Sequence, residues 1–257
     1  MVERRRYKNP PIEEALCEFR FAPGQEWDLT MPGKLHNLML EAYPGKPRQK
    51  NVVEATLAAG QDKTPDNITL KGGVERVQLL TMDGTRIVGV GKDVLSIHML
   101  RPYQSLEAPE KGGWDEFYPR ISSALKAYWD VAVPQGVQRI GIRFINKIVI
   151  PKRPMNVESY FNYVPPSSDG LPNEMSSLFF RSEYAYPDRV KLVLTYGSTD
   201  APDDSSAFLL DLDVILEAKE PLDQTTALEK ANELRERERN AFEGFITDAS
   251  RRLFDVP

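Results

Sequence analysis

The chain is poor in the residues that staple folds or bind soft metals: one cysteine, Cys17, and two histidines, His36 and His98, among 257 residues. A single thiol excludes an internal disulfide framework. These residues are too few to complete a zinc site of the Cys/His kind, so a metal centre would have to be built from carboxylates. No apolar run approaches the roughly 20 residues of a membrane helix. The opening, MVERRRYKNPPIEE, has a basic cluster with no apolar stretch behind it and does not read as a secretory signal. These absences predict a cytoplasmic protein with no membrane contact. An excess of basic charge is lacking too. The net charge is -5, whereas non-specific grip on duplex DNA normally needs surplus Lys and Arg. Nor is there a nucleophile elbow for Ser-His-Asp chemistry. Gly89-Val90-Gly91-Lys92 lacks the spacing of a phosphate loop and falls in a hairpin. No cofactor is expected.

What is present is an ordinary globular mixture, 41% hydrophobic and 28% charged, in a chain long enough for one large core. Residues 1–11 read as an exposed arm ending in Asn9-Pro10-Pro11. From Ile12 to Ala22 the residues alternate, with Ala15, Cys17, Phe19 and Phe21 on one face and Glu14, Leu16, Glu18 and Arg20 on the other, as in a half-buried strand. Cys17 is thus a buried, inert thiol. Leu35, Leu38, Met39 and Tyr43 predict a short helix over 32–43. A meander follows: 74–82 and 86–90 flank the hairpin signal Asp83-Gly84, and 94–100 is the next strand. His98 alternates with Ile97 and Met99, so it belongs to the uncovered face as a lone base. Phe117, Ile121, Ala124, Leu125, Tyr128 and Trp129 form a helical stripe over 114–131.

The pattern then restarts. Strand 137–150 buries Ile140, Ile142, Phe144, Ile148 and Ile150 and turns Arg139, Gly141, Arg143, Ile145 and Lys147 the other way. A short helix at 157–163, a loop at 165–170, strands near 176–186, 189–197 and 207–217, and a helix over 224–254 complete the chain. The charge run Arg235-Glu236-Arg237-Glu238-Arg239 in that helix reads as a solvated face. The expected fold is α+β: a large, curved, mostly antiparallel sheet from two β-α-β-β-β-α pseudo-repeats, 12–133 and 134–257, with helices packed on one face.

Asn9-Pro10-Pro11-Ile12-Glu13-Glu14-Ala15, Cys17-Glu18-Phe19-Arg20-Phe21, Arg139 to Asn146, Leu210-Asp211-Leu212-Asp213 and Phe242 to Asp248 resemble the corresponding stretches of a sporadically distributed prokaryotic family of about 250 residues. That family is of unknown function, so the resemblance implies no catalytic residues. The doubled order of elements is also similar in topology to the saddle of the TATA-binding protein. That likeness carries over no nucleic-acid contact.

The main functional constellation is the uncovered sheet face. Arg139, Arg143 and Lys147 recur every fourth residue of one strand and so point the same way. Arg20 and Glu18 join them if the two opening strands pair, and Asp211 and Asp213 share the face of a later strand. Arg20 and Arg143 should occupy equivalent positions near a pseudo-twofold. Such a face suits another protein as partner. A nucleic acid or nucleotide is the less favoured ligand. Cross-strand salt bridges are the plainer use of the same charges, each worth under about 1 kcal/mol. The leading function is a non-enzymatic binding or adaptor protein, a component of a multi-protein prokaryotic system. The second is a metal-dependent phosphohydrolase or nucleotide-binding enzyme of the triphosphate-tunnel type, although its Glu-x-Glu-x-Lys signature is broken by Leu16. The third is a nucleic-acid-binding saddle.

Overall fold

Alternation in the first apolar stretch is realised as strand β1 (Ile12–Ala22), in which Ala15, Cys17, Phe19 and Phe21 are buried and Arg20 is exposed. The computed structural model describes residues 5–59, 65–104, 112–151, 156–164, 176–202 and 204–255, with the backbone alone for those between 51 and 75. The loop expected at 165–170 lies outside the described residues.

β1 is the central strand of a nine-stranded antiparallel sheet. The others are β2 (Arg48–Ala59), β3 (Pro65–Leu80), β4 (Arg86–Gly91), β5 (Val94–Leu100), β6 (Gly136–Pro151), β7 (Phe179–Ala185), β8 (Val190–Thr199) and β9 (Ser205–Leu222). Their order is β2-β3-β4-β5-β1-β6-β9-β8-β7. Outward from the β1–β6 pair, each side begins with the last strand of its half of the chain and runs back toward earlier ones. β2 and β7 are free edges, so the sheet is open and does not close into a tunnel. The class is α+β, as the patterning predicts.

Among the described residues four α-helices accompany the sheet: α1 (Met31–Met39), α2 (Trp114–Ala132), α3 (Gln224–Phe245) and α4 (Asp248–Phe254). α2 packs against β5 and α1, and α3 packs against β6, β9 and α2. The stripe Phe117, Ile121, Ala124, Leu125 and Tyr128 of α2 is buried as its spacing requires. Tyr128 stacks on Phe21 of β1 at 4.4 Å between ring centres, and its hydroxyl donates to the Gly91 carbonyl oxygen at 3.0 Å. The ring thus brings its polar end into the core satisfied. The Asp83-Gly84 turn closes because Gly84 adopts a φ of 70° and Asp83 Oδ1 accepts from Thr85 N at 3.1 Å.

Three local expectations are corrected. The expected last helix breaks at Ile246, which is extended because it bridges to Phe161; Thr247 N then donates to the Tyr160 carbonyl oxygen. The helix expected at 157–163 is a single 3-10 turn, Val157–Ser159, because burying Phe161 in that bridge ends it. Residues 5–11, read as an exposed arm, lie along α3 and α4. Tyr7 is buried edge-on to Phe242 and Phe254 and donates to Glu243 Oε1 at 2.7 Å, while Arg5, Arg6 and Lys8 remain exposed.

Candidate functional site

Register assembles the charged face. β1 and β6 pair with Glu18 opposite Gly141 and Arg20 opposite Arg139, and β6 and β9 pair with Arg143 opposite Asp213. Among the described residues no helix covers this face, and its charged side chains meet one another.

Glu18 is the hub. Its Oε1 accepts from Arg20 Nε and Arg139 Nη1, each at 2.9 Å, and its Oε2 accepts from Arg76 Nη2 of β3 at 2.8 Å. Burial alone would raise the Glu18 carboxyl, but Arg76 and Arg20 outweigh it and hold the group below the usual carboxylate range. Arg139 also reaches Glu217 Oε1 at 3.3 Å. Arg143 binds Asp211 with two parallel bonds, Nε to Oδ1 at 2.8 Å and Nη2 to Oδ2 at 2.6 Å, and its pKa is raised chiefly by that bond.

Asp213 is the exception. It makes no hydrogen bond or ion pair among the described residues, and its carboxyl is pushed up to about 6. Burial is the main cause; Arg139 and Arg143 oppose it, while Asp211 and Glu18 add to it. Gly141 lies beside Asp213: a Cβ there would be in van der Waals contact with Asp213 Oδ1 at 3.5 Å and with the Arg139 guanidinium at 3.7 Å.

The structure therefore brings Arg20, Arg139, Arg143, Glu18, Asp211 and Asp213 together. Lys147 shares their strand face but joins no ion pair among the described residues, and its backbone N–H donates to the Pro11 carbonyl oxygen. Arg189 lies in the β7–β8 turn with a φ of 63°, where its carbonyl oxygen accepts from Glu217 N at 3.3 Å. Arg76 was not anticipated, because nothing in its own strand's pattern names a partner 58 residues earlier.

His98 is not a lone base, contrary to expectation. Its Nδ1 lies 2.7 Å from Glu14 Oε1 and its Nε2 lies 3.0 Å from Ser96 Oγ. The order of groups is that of a nucleophile, a base and an orienting acid. Ser96 is 0% exposed, however, with the Arg76 side chain packed beside it, so its hydroxyl is closed to a substrate. The chain stiffens the face instead, and Glu14 is held below its ordinary range by its bond to His98. Tyr196 is buried against Phe161 and Phe208.

Among the described residues no three His, Cys, Asp or Glu side chains converge to hold a metal, and no helix is long and apolar enough to cross a membrane. No family model matches the chain, and no curated protein is significantly similar to it. Function is therefore read from geometry.

The solvated reading of 235–239 is corrected as well. Arg235 and Glu238 are 7% and 1% exposed, on the inner side of α3, where Arg235 Nη1 donates to Glu238 Oε2. Arg237 keeps the expected role, pairing at the surface with Asp188.

Proposed function

We propose that this is a non-enzymatic binding or adaptor protein of the cytoplasm, which docks another protein on the uncovered sheet face around Arg20, Arg139 and Arg143. The reading rests on one observation: the face is a nearly complete guanidinium–carboxylate lattice with exposed outer ends. Among the described residues, Arg20, Arg76, Arg139, Arg143 and Lys147, with Lys50 near Glu14, stand against Glu14, Glu18, Asp211, Asp213 and Glu217, so the two signs nearly balance. Arg20 and Arg143 nevertheless keep 56% and 40% of their side chains exposed. A phosphate-binding groove needs surplus positive charge, which this balance does not supply. A protein partner with its own mixed charges can exchange pairs with such a surface and gain specificity from the match. Tunnel-type phosphohydrolysis is less well supported, because the sheet is open and no carboxylate cluster forms a metal site among the described residues. Membership of a multi-protein prokaryotic system remains part of the same proposal.

The test compares wild type with Arg20→Glu and Arg143→Glu in affinity capture from the native cell, followed by titration of the purified partner. Circular dichroism confirms that each variant is folded. A partner bound by wild type and weakened at least about tenfold by either reversal supports the site. Unchanged affinity in both folded variants overturns it.

A further inference from the structure

On the opposite, helix-covered side of the sheet, α3 carries the buried pair Arg235 and Glu238 into a cavity of about 110 Å³. Its wall includes Tyr103, Trp114, Phe144 and Asn146, and the segment around Tyr7 closes it from outside. A water needs on the order of 10–15 Å³ by this kind of measure, so the space holds several waters or one small organic molecule. The Arg235 guanidinium carbon lies 4.1 Å from the Phe144 ring centre and 5.8 Å from that of Trp114. Trp114 is itself fixed, since its indole N–H donates to Asn232 Oδ1 at 3.0 Å.

Glu238 takes one edge of the guanidinium. The other edge is unmet: Arg235 Nε has no hydrogen-bond partner, and neither has Tyr103 Oη, although both are more than nine-tenths buried and line the cavity. The two groups face each other, near enough for a weak side-chain hydrogen bond, guanidinium to phenol oxygen, to act on both, which leaves the Tyr103 hydroxyl proton free to be donated elsewhere. An arginine Nε is only ever a donor, and a tyrosine hydroxyl can turn to become one, so the cavity presents two donors awaiting an acceptor. Arg239, one turn on, lines the same wall and adds positive charge; it also works with burial to lower Arg235 to about 10. Asp115, Glu236, Glu238 and Glu243 line the wall against Arg5, Arg6, Arg235 and Arg239, a balance that disfavours a dianion such as phosphate. A carboxylate gains charge-assisted bonds from Arg235, with Arg239 beside it, that a neutral amide does not.

We propose that this cavity binds a small organic monocarboxylate, whose oxygens accept from Arg235 Nε and Tyr103 Oη and whose apolar part meets Trp114, Pro11 and Ile12. A carboxylate matches the planar edge of a guanidinium, and desolvated aromatic walls strengthen that bond. The site lies on the face of the sheet opposite the proposed docking surface, so the two readings stand or fall separately.

Isothermal titration of the full chain with acetate, butyrate and benzoate, against benzamide and inorganic phosphate, tests this. At least one carboxylate should bind with one-to-one stoichiometry and raise the melting temperature, while benzamide and phosphate should not. Tyr103→Phe keeps the ring contacts to Phe117 and Phe144 and should weaken binding about tenfold. Arg239→Gln, with a smaller loss expected, reads the electrostatic contribution without disturbing the buried pair. Absence of binding by every carboxylate, equal binding of benzamide, or unchanged affinity in folded Tyr103→Phe overturns the proposal.

Discussion

Replacing Asp213 by Asn should stabilise the protein, and by an amount that depends on pH. The Asp213 carboxyl is half-buried without a hydrogen bond and titrates at about 6 rather than 3.8. That rise corresponds to ~3 kcal/mol in favour of the neutral form on folding. Because the folded pKa lies above the unfolded one, the contribution is fully present below about pH 4 and is lost as pH rises through about 6. At pH 8 the wild type bears the whole cost of a buried carboxylate, so Asp213→Asn should be more stable by ~3 kcal/mol. At pH 5 the advantage should fall to ~1.5 kcal/mol, and it should fade further below that. Urea unfolding of both proteins at the two pH values measures this. Glu14 and Glu18, whose carboxyls are held low, act in the opposite sense but cancel in the difference between variant and wild type. Parallel stability curves from pH 5 to 8 would refute the argument, because only a perturbed carboxyl at this position makes them converge.

Removing the hub, Glu18→Ala, should cost ~3–5 kcal/mol, as expected for breaking a largely buried ion-pair cluster from one side. Little of this comes from the exposed Arg20 and most from Arg76 and Arg139, so a loss under ~1 kcal/mol in urea unfolding would show the lattice to be ornamental. Cys17 is 0% exposed and burial holds its thiol well above the usual range, so a thiol reagent should label it only as fast as the protein opens; immediate labelling of the native protein contradicts its placement. Val133 ends α2 with a φ of 41° and is 55% exposed, so Val133→Gly should relieve a left-handed conformation at no loss of packing. A gain of ~1 kcal/mol in thermal unfolding is expected, and an unchanged or lower melting temperature refutes it.

The parts of this structure legible in the sequence are those governed by local periodicity. Alternation from 12 to 22 assigns both faces of β1, the 3.6-residue stripe assigns the buried side of α2, and Asp83-Gly84 marks its turn because only particular residues take that backbone. The same periodicity places Arg139 and Arg143 on one face, and Asp211 and Asp213 on another strand's equivalent face. Which of these charges touch is a matter of register between distant strands, and period-two patterning carries no register. Hence Arg76 and the Glu14–His98–Ser96 chain were out of reach. Arg235 and Glu238 are a different case. The buried positions Ala227, Ala231, Leu234, Phe242 and Phe245 leave one turn of the inner stripe unfilled, and only 235 and 238 can fill it. Charge was allowed to outweigh spacing at those two residues, although a buried pair and an aromatic cavity satisfy both.

The two central strands meet at Glu18 and Gly141, and Arg20 and Arg143 each lie two residues beyond that pair in their own strands. Matched positions do not have matched partners. The neighbour opposite Arg20 on β5 is the buried Val94, whereas the neighbour opposite Arg143 on β9 is Asp213. With no carboxylate opposite it on β5, Arg20 turns back to Glu18 on its own strand. Arg143 has two carboxylates within reach on β9, binds Asp211 and leaves Asp213, beside Gly141, without a hydrogen bond among the described residues. The lattice is therefore polar across the sheet: guanidinium-rich toward β3, where Arg76 and Arg20 converge on one carboxylate, and carboxylate-rich toward β9. A partner of the kind proposed would dock in one orientation only, presenting acidic groups toward β3 and a basic group to Asp213. Such a base would favour the ionised carboxyl, draw its pKa down from about 6, and make association tighten as pH rises through that value.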